Sequence, residues 1–218
     1  MALMTKGVAL LSGGLDSAIA AALFRERPQH EIQEAVFFDY GQRAVHREAA
    51  AAAALAQRWQ VPWRSLSVPW LGELAARSGS ALSALGGPLP RGTREQPGDE
   101  RSARAVWVPA RNAVFVAIAA AVAETAGAQW VIAGFNREEA ATFPDNSMAF
   151  TTAADEFLRY GTRNGVRVSS PTLALDKAGI VQEAKRLGYH ASDFWSCYEG
   201  GERPCGSCES CLRSRWDR

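Results

Sequence analysis

The chain has 218 residues, 47% of them hydrophobic, which suits one domain with a buried core and a small appendage and excludes two catalytic domains. Lys and Arg number 24 against 23 Asp and Glu, a formal charge of +1, without the basic excess of a dedicated nucleic-acid-binding domain. The longest apolar run, residues 113–123, is 11 residues, where a membrane span needs about 18 or more.

In chain order, residues 8–11 read as a strand that stops at a Ser-Gly-Gly turn, and residues 16–25 carry apolar side chains at helical spacing. The GVALL run after Lys6 is too short for a secretory leader, so the expected location is cytoplasmic. Residues 34–38 repeat the strand pattern and end at Asp39-Tyr40-Gly41. The Ala-rich residues 43–59 then read as a helix, and a third strand is expected near 63–68. Residues 78–104 hold five Gly, three Pro and seven charged residues, the composition of a long loop that is either a functional lid or an insertion.

Regular pattern resumes with a buried helix over 112–125, a strand over 129–133 and a polar loop containing Phe143-Pro144-Asp145. A helix over 152–160, a strand over 166–168 and an amphipathic helix over 177–187 closed by Gly188 complete the series. Alternation of this kind predicts an α/β fold, a Rossmann-like open parallel sheet with helices on both faces.

The string Leu11-Ser12-Gly13-Gly14-Leu15-Asp16-Ser17 falls where the first strand hands over to its helix, the place where open α/β sheets bind ligands. Two glycines allow backbone N–H groups to converge, Ser12 and Ser17 add hydroxyls, and the helix N-terminus contributes roughly +0.5 of a charge, a nest suited to pyrophosphate. A tight turn with Asp16 or Ser17 as helix cap is the competing reading. The string is neither G-x-x-x-x-G-K-[ST] nor G-x-G-x-x-G.

All four cysteines, Cys197, Cys205, Cys208 and Cys211, fall in the last 22 residues with spacing C-x7-C-x2-C-x2-C. Disulfides are rare in cytoplasmic chains. Four thiolates at these spacings suit a structural Zn²⁺ with no open coordination position, an iron–sulfur cluster being the rival.

S-G-G-x-D-S after a first strand resembles the PP-loop of N-type ATP pyrophosphatases. That resemblance implies attack of a substrate oxygen on the α-phosphate of ATP, with Asp16 positioning Mg²⁺ or the loop. FDYGQR at 38–43, VPARN at 108–112, FPD at 143–145, SPTLALDKAGI at 170–180 and SCYEGGERPCGSCESC at 196–211 extend it. The chain is similar to one PP-loop family, the 7-cyano-7-deazaguanine synthases (QueC, also called ExsB), from about residue 8 to 213. The resemblance implies that 7-carboxy-7-deazaguanine is activated by ATP, captured by ammonia as an amide, and activated again to the nitrile that feeds queuosine or archaeosine. It implies a homodimer with zinc on the four cysteines. It also implies ATP contacts from Leu10, Leu11, Ser12, Gly13, Gly14, Leu15, Asp16, Ser17, Ala18, Ile19 and Ala20.

Around that loop, Tyr40, Gln42 and Arg43 lie just past the second strand, where a deazapurine needs stacking and hydrogen bonds. Arg111 and Asn112, placed just ahead of a helix, are expected to hold phosphate or carboxylate oxygens. Phe143 and Asp145, and Lys177 at a helix start, complete the expected substrate set, with Asp16, Ser17 and Arg111 as catalytic residues. Competing readings make Tyr40 core, Asn112 an N-cap, and Asp176 a cap beside an exposed Lys177. Glu139, Ala141 and Ser147 stand where the family pattern has Asp, Ser and Arg, and His46 lies two positions beyond the family's histidine. A PP-loop ligase acting on another carboxylate, and a non-catalytic ATP-binding zinc protein, therefore stay open. The expected organisation is a nucleotide domain over 1–190 and a metal motif over 191–218, with free ammonia as nitrogen donor because the chain has no room for a glutaminase.

Overall fold

The computed structural model describes residues 4–92, 100–214 and 216. Five parallel strands form one sheet in the order β3-β2-β1-β4-β5: β1 (Thr5–Leu10), β2 (His30–Asp39), β3 (Trp63–Ser67), β4 (Trp130–Ile132) and β5 (Arg167–Ser169). The order reverses between β1 and β4, the topological switch point at which such sheets leave a crevice beyond their strand ends. The expected fold class is the observed one.

Successive strand residues point to opposite faces, and both faces are buried, as parallel sheets require. Val8, Val36, Phe38 and Val131 pack into one core with helices α3 (Pro69–Arg77), α5 (Arg111–Thr125) and α7 (Met148–Gly161). Ala9, Ala35, Phe37 and Ile132 face the other, against α1 (Leu15–Glu26), α2 (Val45–Trp59) and α8 (Lys177–Arg186). Ala18, Ile19 and Ala20 belong to this second core and are fully buried. They are packing residues of α1 and are not among the residues that line the cavity at the strand ends.

Several boundaries are set by local chemistry. The helix α8 starts at an Asp176 cap, whose Oδ1 accepts from the Gly179 N–H at 2.9 Å. It ends with the Gly188 N–H on the Lys185 carbonyl and the Tyr189 N–H on that of Ala184, with Gly188 at φ +73°, the Schellman arrangement. The helix over 148–161 begins four residues earlier than its periodicity predicts because the Ser147 side chain caps it. Pro69 opens α3, a helix absent from the sequence reading, at the position where proline's missing N–H costs nothing.

The expected 78–104 loop is in large part structured. Ser83 bridges Gln42, Arg91 bridges Cys208, and a short helix α4 (Glu100–Ala105) closes the segment. Residues 93–99 of that loop lie outside the described residues.

Candidate active site

The chain ends of β1, β2 and β4 open into a cavity of about 330 Å³. Its floor is the glycine-rich loop. Gly13 sits at φ +79°, and a Cβ there would lie 2.3 Å from the Glu48 carbonyl, so only glycine lets the loop pass α2. Gly134, after β4, likewise would place a Cβ 2.5 Å from the Ser17 N. Two bare backbones thus meet across the switch point.

The serine hydroxyls shape this loop. Ser12 Oγ and Ser17 Oγ share a hydrogen bond of 2.9 Å, the Ser12 N–H donates to Ser17 Oγ at 3.2 Å, and the Gly14 N–H donates to Ser12 Oγ at 3.3 Å. Neither Asp16 nor Ser17 caps α1. The N-cap is Gly14, with no side-chain cap, so the positive end of the helix dipole faces the cavity, as an anion site requires.

Asp16 turns instead to Lys177, whose Nζ donates to Asp16 Oδ2 and, at 2.6 Å, to Glu139 Oε1. The lysine side chain is only 16% exposed, which overturns the exposed-Lys177 reading. Glu139 belongs to the short helix α6 (Arg137–Ala140), capped by Asn136. Burial pulls the Lys177 ammonium towards neutrality, but the two carboxylates outweigh it and raise its pKa. Burial pushes Glu139 up, and the Lys177 charge more than reverses that, holding it below the usual carboxylate range. Asp16 is raised by burial despite Lys177. Its Oδ1 is buried with no partner among the described residues, so the loop carries one carboxylate oxygen free to meet a cation.

The opposite wall is built on α5. Arg111 and Asn112 form its first turn rather than preceding it, because Ala110 adopts φ +54° as the N-cap. The Arg111 charge acts on the Tyr40 hydroxyl, whose pKa burial raises, while the Tyr40 ring is buried beside Phe115. Tyr40 is at once core and cavity wall. Asn112 Nδ2 donates to the Asp145 carbonyl at 3.3 Å, tying α5 to the turn at Pro144–Asn146. Burial raises the Asp145 carboxyl, against the pull of Arg111. Phe143 lies nearly parallel to Trp107, 9° apart with centroids at 6.0 Å, and both rings line the cavity.

Two expectations change. Gln42 lines the cavity, yet its amide is engaged: Oε1 accepts from the Tyr40 N–H, and Nε2 donates to the Phe38 carbonyl and to Glu48 Oε2, each at 3.0 Å. Arg43 is not a cavity residue; its guanidinium donates to the carbonyls of Ala81, Gly86 and Gly87 at 2.6 to 3.0 Å. Arg43 secures the returning loop. His46 is exposed on α2 and is not among the lining residues.

Glu48 is the main residue the sequence reading passes over. In the first turn of an Ala-rich helix it looks like part of a solvated face, but its side chain lines the cavity. Burial pushes its carboxyl up to about 7, against the Gln42 hydrogen bond and the Arg111 charge.

The C-terminal segment closes one side. The Trp195 N–H donates to the Gly13 carbonyl at 2.9 Å, and Tyr198 and Arg213 line the cavity. Beyond it, the Sγ atoms of Cys197, Cys205, Cys208 and Cys211 all lie within 4.8 Å of one another, with no disulfide among them. A tetrahedron with metal–sulfur bonds of about 2.3 Å has edges of about 3.8 Å, and Cys197 and Cys208 stand 4.0 Å apart. Peptide N–H groups of Glu199 and Cys205 donate to Cys197 Sγ and that of Cys208 to Cys205 Sγ, at 3.3 to 3.4 Å, which favours thiolates. The donor set fits a closed tetrahedral metal site.

A family model described as queuosine biosynthesis protein QueC matches residues 6–216. The chain is 44% identical over 212 residues to the 7-cyano-7-deazaguanine synthase of Pelotomaculum thermopropionicum, covering 95% of this chain and 94% of that one. To the synthase of Methanosarcina mazei it is 41% identical over 215 residues, covering 95% and 91%. Its fold is similar to that of the U34-tRNA thiolase NcsA from Methanococcus maripaludis with its 4Fe–4S cluster, at TM-score 0.52 and 15% identity over 87% of this chain and 59% of that one. It is similar also to a 4-thiouridine synthetase in complex with RNA and ATP, at TM-score 0.51 and 21% identity over 84% and 41%. The last two likenesses are of fold alone; the match from residue 6 to 216 and relatives above 40% identity along nearly their whole length show that the chain belongs to the QueC family of queuosine biosynthesis proteins.

Proposed function

We propose that the protein is a carbon–nitrogen ligase that converts 7-carboxy-7-deazaguanine, ammonia and ATP into 7-cyano-7-deazaguanine. The observation that carries the reading is one cavity in which an uncapped helix N-terminus and a glycine loop face a pair of parallel aromatic rings. The first suits a triphosphate; the second suits a flat base. Residues 1–190 form the nucleotide-binding unit in this reading, and 191–218 the metal motif that walls it.

The substrate carboxylate displaces pyrophosphate from the α-phosphorus of ATP, giving an acyl adenylate. Ammonia displaces AMP from it to give the amide. The amide oxygen attacks a second ATP, and loss of AMP leaves the nitrile. The backbone of 12–15 and the α1 dipole hold the leaving pyrophosphate, and Arg111 with Asn112 holds substrate carboxylate or phosphate oxygens. Lys177 fixes Asp16 and Glu139 in place. Mg²⁺ bound with the triphosphate would meet the free Oδ1 of Asp16 and neutralise charge on the leaving group. Zn²⁺ on the four cysteines would be structural, since four ligands leave it no open position, and with all four cysteines so held none is left for sulfur transfer. The active form is a homodimer in the cytoplasm, and the reaction needs no nucleic-acid or membrane partner.

Exchange of labelled pyrophosphate into ATP tests the activation step. It should depend on 7-carboxy-7-deazaguanine and proceed without ammonium. Exchange supported only by a different carboxylate would favour another PP-loop ligase activity, the reading that the departures at Glu139, Ala141 and Ser147 keep in view.

A further inference from the structure

We propose that Glu48 is the general base of this site, taking up the protons that leave nitrogen as ammonia becomes the amide and the amide becomes the nitrile. The inference rests on the nitrile-forming reading above.

The placement is specific. The Glu48 backbone packs under the glycine-rich loop, with its carbonyl 2.3 Å from where a Gly13 Cβ would sit, so its position is registered to the loop expected to hold ATP. The side chain reaches the cavity that the loop floors. Gln42 Nε2 fixes Oε2 at 3.0 Å, and Gln42 is itself locked by Phe38 and Tyr40. The other carboxylate oxygen has no hydrogen bond among the described residues, and it is the atom positioned to accept a proton. Arg111 from α5 and Tyr40 from the turn after β2 are the charged and titratable groups acting on Glu48; Gln42 is neutral. The other cavity carboxylates have different surroundings: Asp16 and Glu139 share the Lys177 ammonium, the remaining Asp16 oxygen being the one placed to meet a cation, and Asp145 Oδ1 accepts from Asn146 Nδ2 at 3.0 Å.

The chemistry requires such a group. Ammonium is the main form of the donor at neutral pH and must lose a proton before nitrogen has a lone pair. The C–N bond then forms as the C–O bond to AMP breaks, and one N–H proton leaves. In the second stage one N–H proton is lost as the amide oxygen attacks phosphorus with release of pyrophosphate, and the other as AMP departs and the triple bond forms. Each proton passes to the Glu48 carboxylate and from there to solvent. A carboxyl near 7 alternates between its two states at neutral pH, the condition under which a base works best.

Glu48→Gln and Glu48→Asp separate this role from a structural one. Adenylation of the substrate carboxylate moves no N–H proton, so substrate-dependent pyrophosphate exchange should stay within a few-fold of wild type in Glu48→Gln. Nitrile formation from ammonium should fall by on the order of 10²-fold or more. Wild-type kcat should rise with pH through an apparent pKa near 7 and Glu48→Gln should lose that limb, while Glu48→Asp retains part of the rate. Hydroxylamine, already uncharged at neutral pH, should give hydroxamate in Glu48→Gln with a much smaller deficit than ammonium shows. Nitrile formation within about threefold of wild type, or parallel loss of exchange and nitrile, would overturn the role. A wild-type enzyme that makes no nitrile at all would overturn the parent reading and the base with it, a failure distinct from the other two.

Discussion

Lys177, the first residue of α8, reaches 161 positions back along the chain to Asp16 of the glycine-rich loop and bridges it to Glu139. One ammonium thus joins the ends of three loops at the strand tips. Lys177→Met would leave two carboxylates facing each other in a wall where side-chain exposure is 20% for Asp16 and 30% for Glu139. Breaking a buried pair by removing one partner costs roughly 3–5 kcal/mol, and the residual exposure places this one at the lower end, about 3 kcal/mol. The loss should shrink at pH 4, where the orphaned carboxyls are protonated, and be full at pH 8. Urea denaturation at the two pH values checks both size and sign.

Glu48 makes the opposite stability prediction. Its folded pKa, about 7, lies above its ordinary value of 4.5. The folded state therefore binds more protons than the unfolded state between those values, and stability falls as pH rises through that window. Glu48→Gln removes the dependence. The variant should gain on wild type between pH 4 and pH 8 by up to about 3 kcal/mol, since each tenfold difference in proton affinity between the two states is worth roughly 1.4 kcal/mol. Thermal melts across that range measure the difference; a constant offset would contradict the raised carboxyl. A site that gains stability when its acid is removed is one that trades stability for activity.

At the switch point the clearance is steric. Gly134→Ala would push a methyl to 2.5 Å from the Ser17 N, and backbone on both sides leaves no flexible group to yield. The expected result is a loss of roughly 1–3 kcal/mol from overpacking together with a larger loss of Mg-ATP affinity, read by calorimetry. Gly87→Ala, with nothing within 4 Å of its Cβ, is the neutral control.

Metal analysis should return about one zinc per chain, falling to near zero in Cys208→Ser. Arg91 donates to Ser207 Oγ and Glu199 Oε1, and Trp195 holds Gly13. Loss of the metal should therefore loosen residues 80–92 and 195–211 together, seen as faster amide exchange in both. Bound iron with visible absorbance would contradict the zinc assignment.

The parts of the site legible in the sequence are those whose chemistry is contiguous. The Ser-Gly-Gly loop, the four cysteines and the Asp176 cap beside Lys177 each sit within one short string, and each lies at the cavity or its border. Arg43 misleads because a charged residue just past a strand resembles a ligand contact, whereas its partners are carbonyls returned by residues 81–87. Ala18 to Ala20 follow the loop motif into a helix whose periodicity turns them into the core. Glu48 is invisible along the chain because its environment joins the turn carrying Tyr40 and Gln42 to Arg111, more than 60 residues away on α5. No spacing rule joins them.

Mass spectrometry of the products formed from Mg-ATP, ammonium and 7-carboxy-7-deazaguanine tests the central claim most directly. The expected products are 7-cyano-7-deazaguanine and two AMP per nitrile, with the amide as a transient species. Absence of the nitrile from metal-replete protein, or ADP as the nucleotide product, would contradict it.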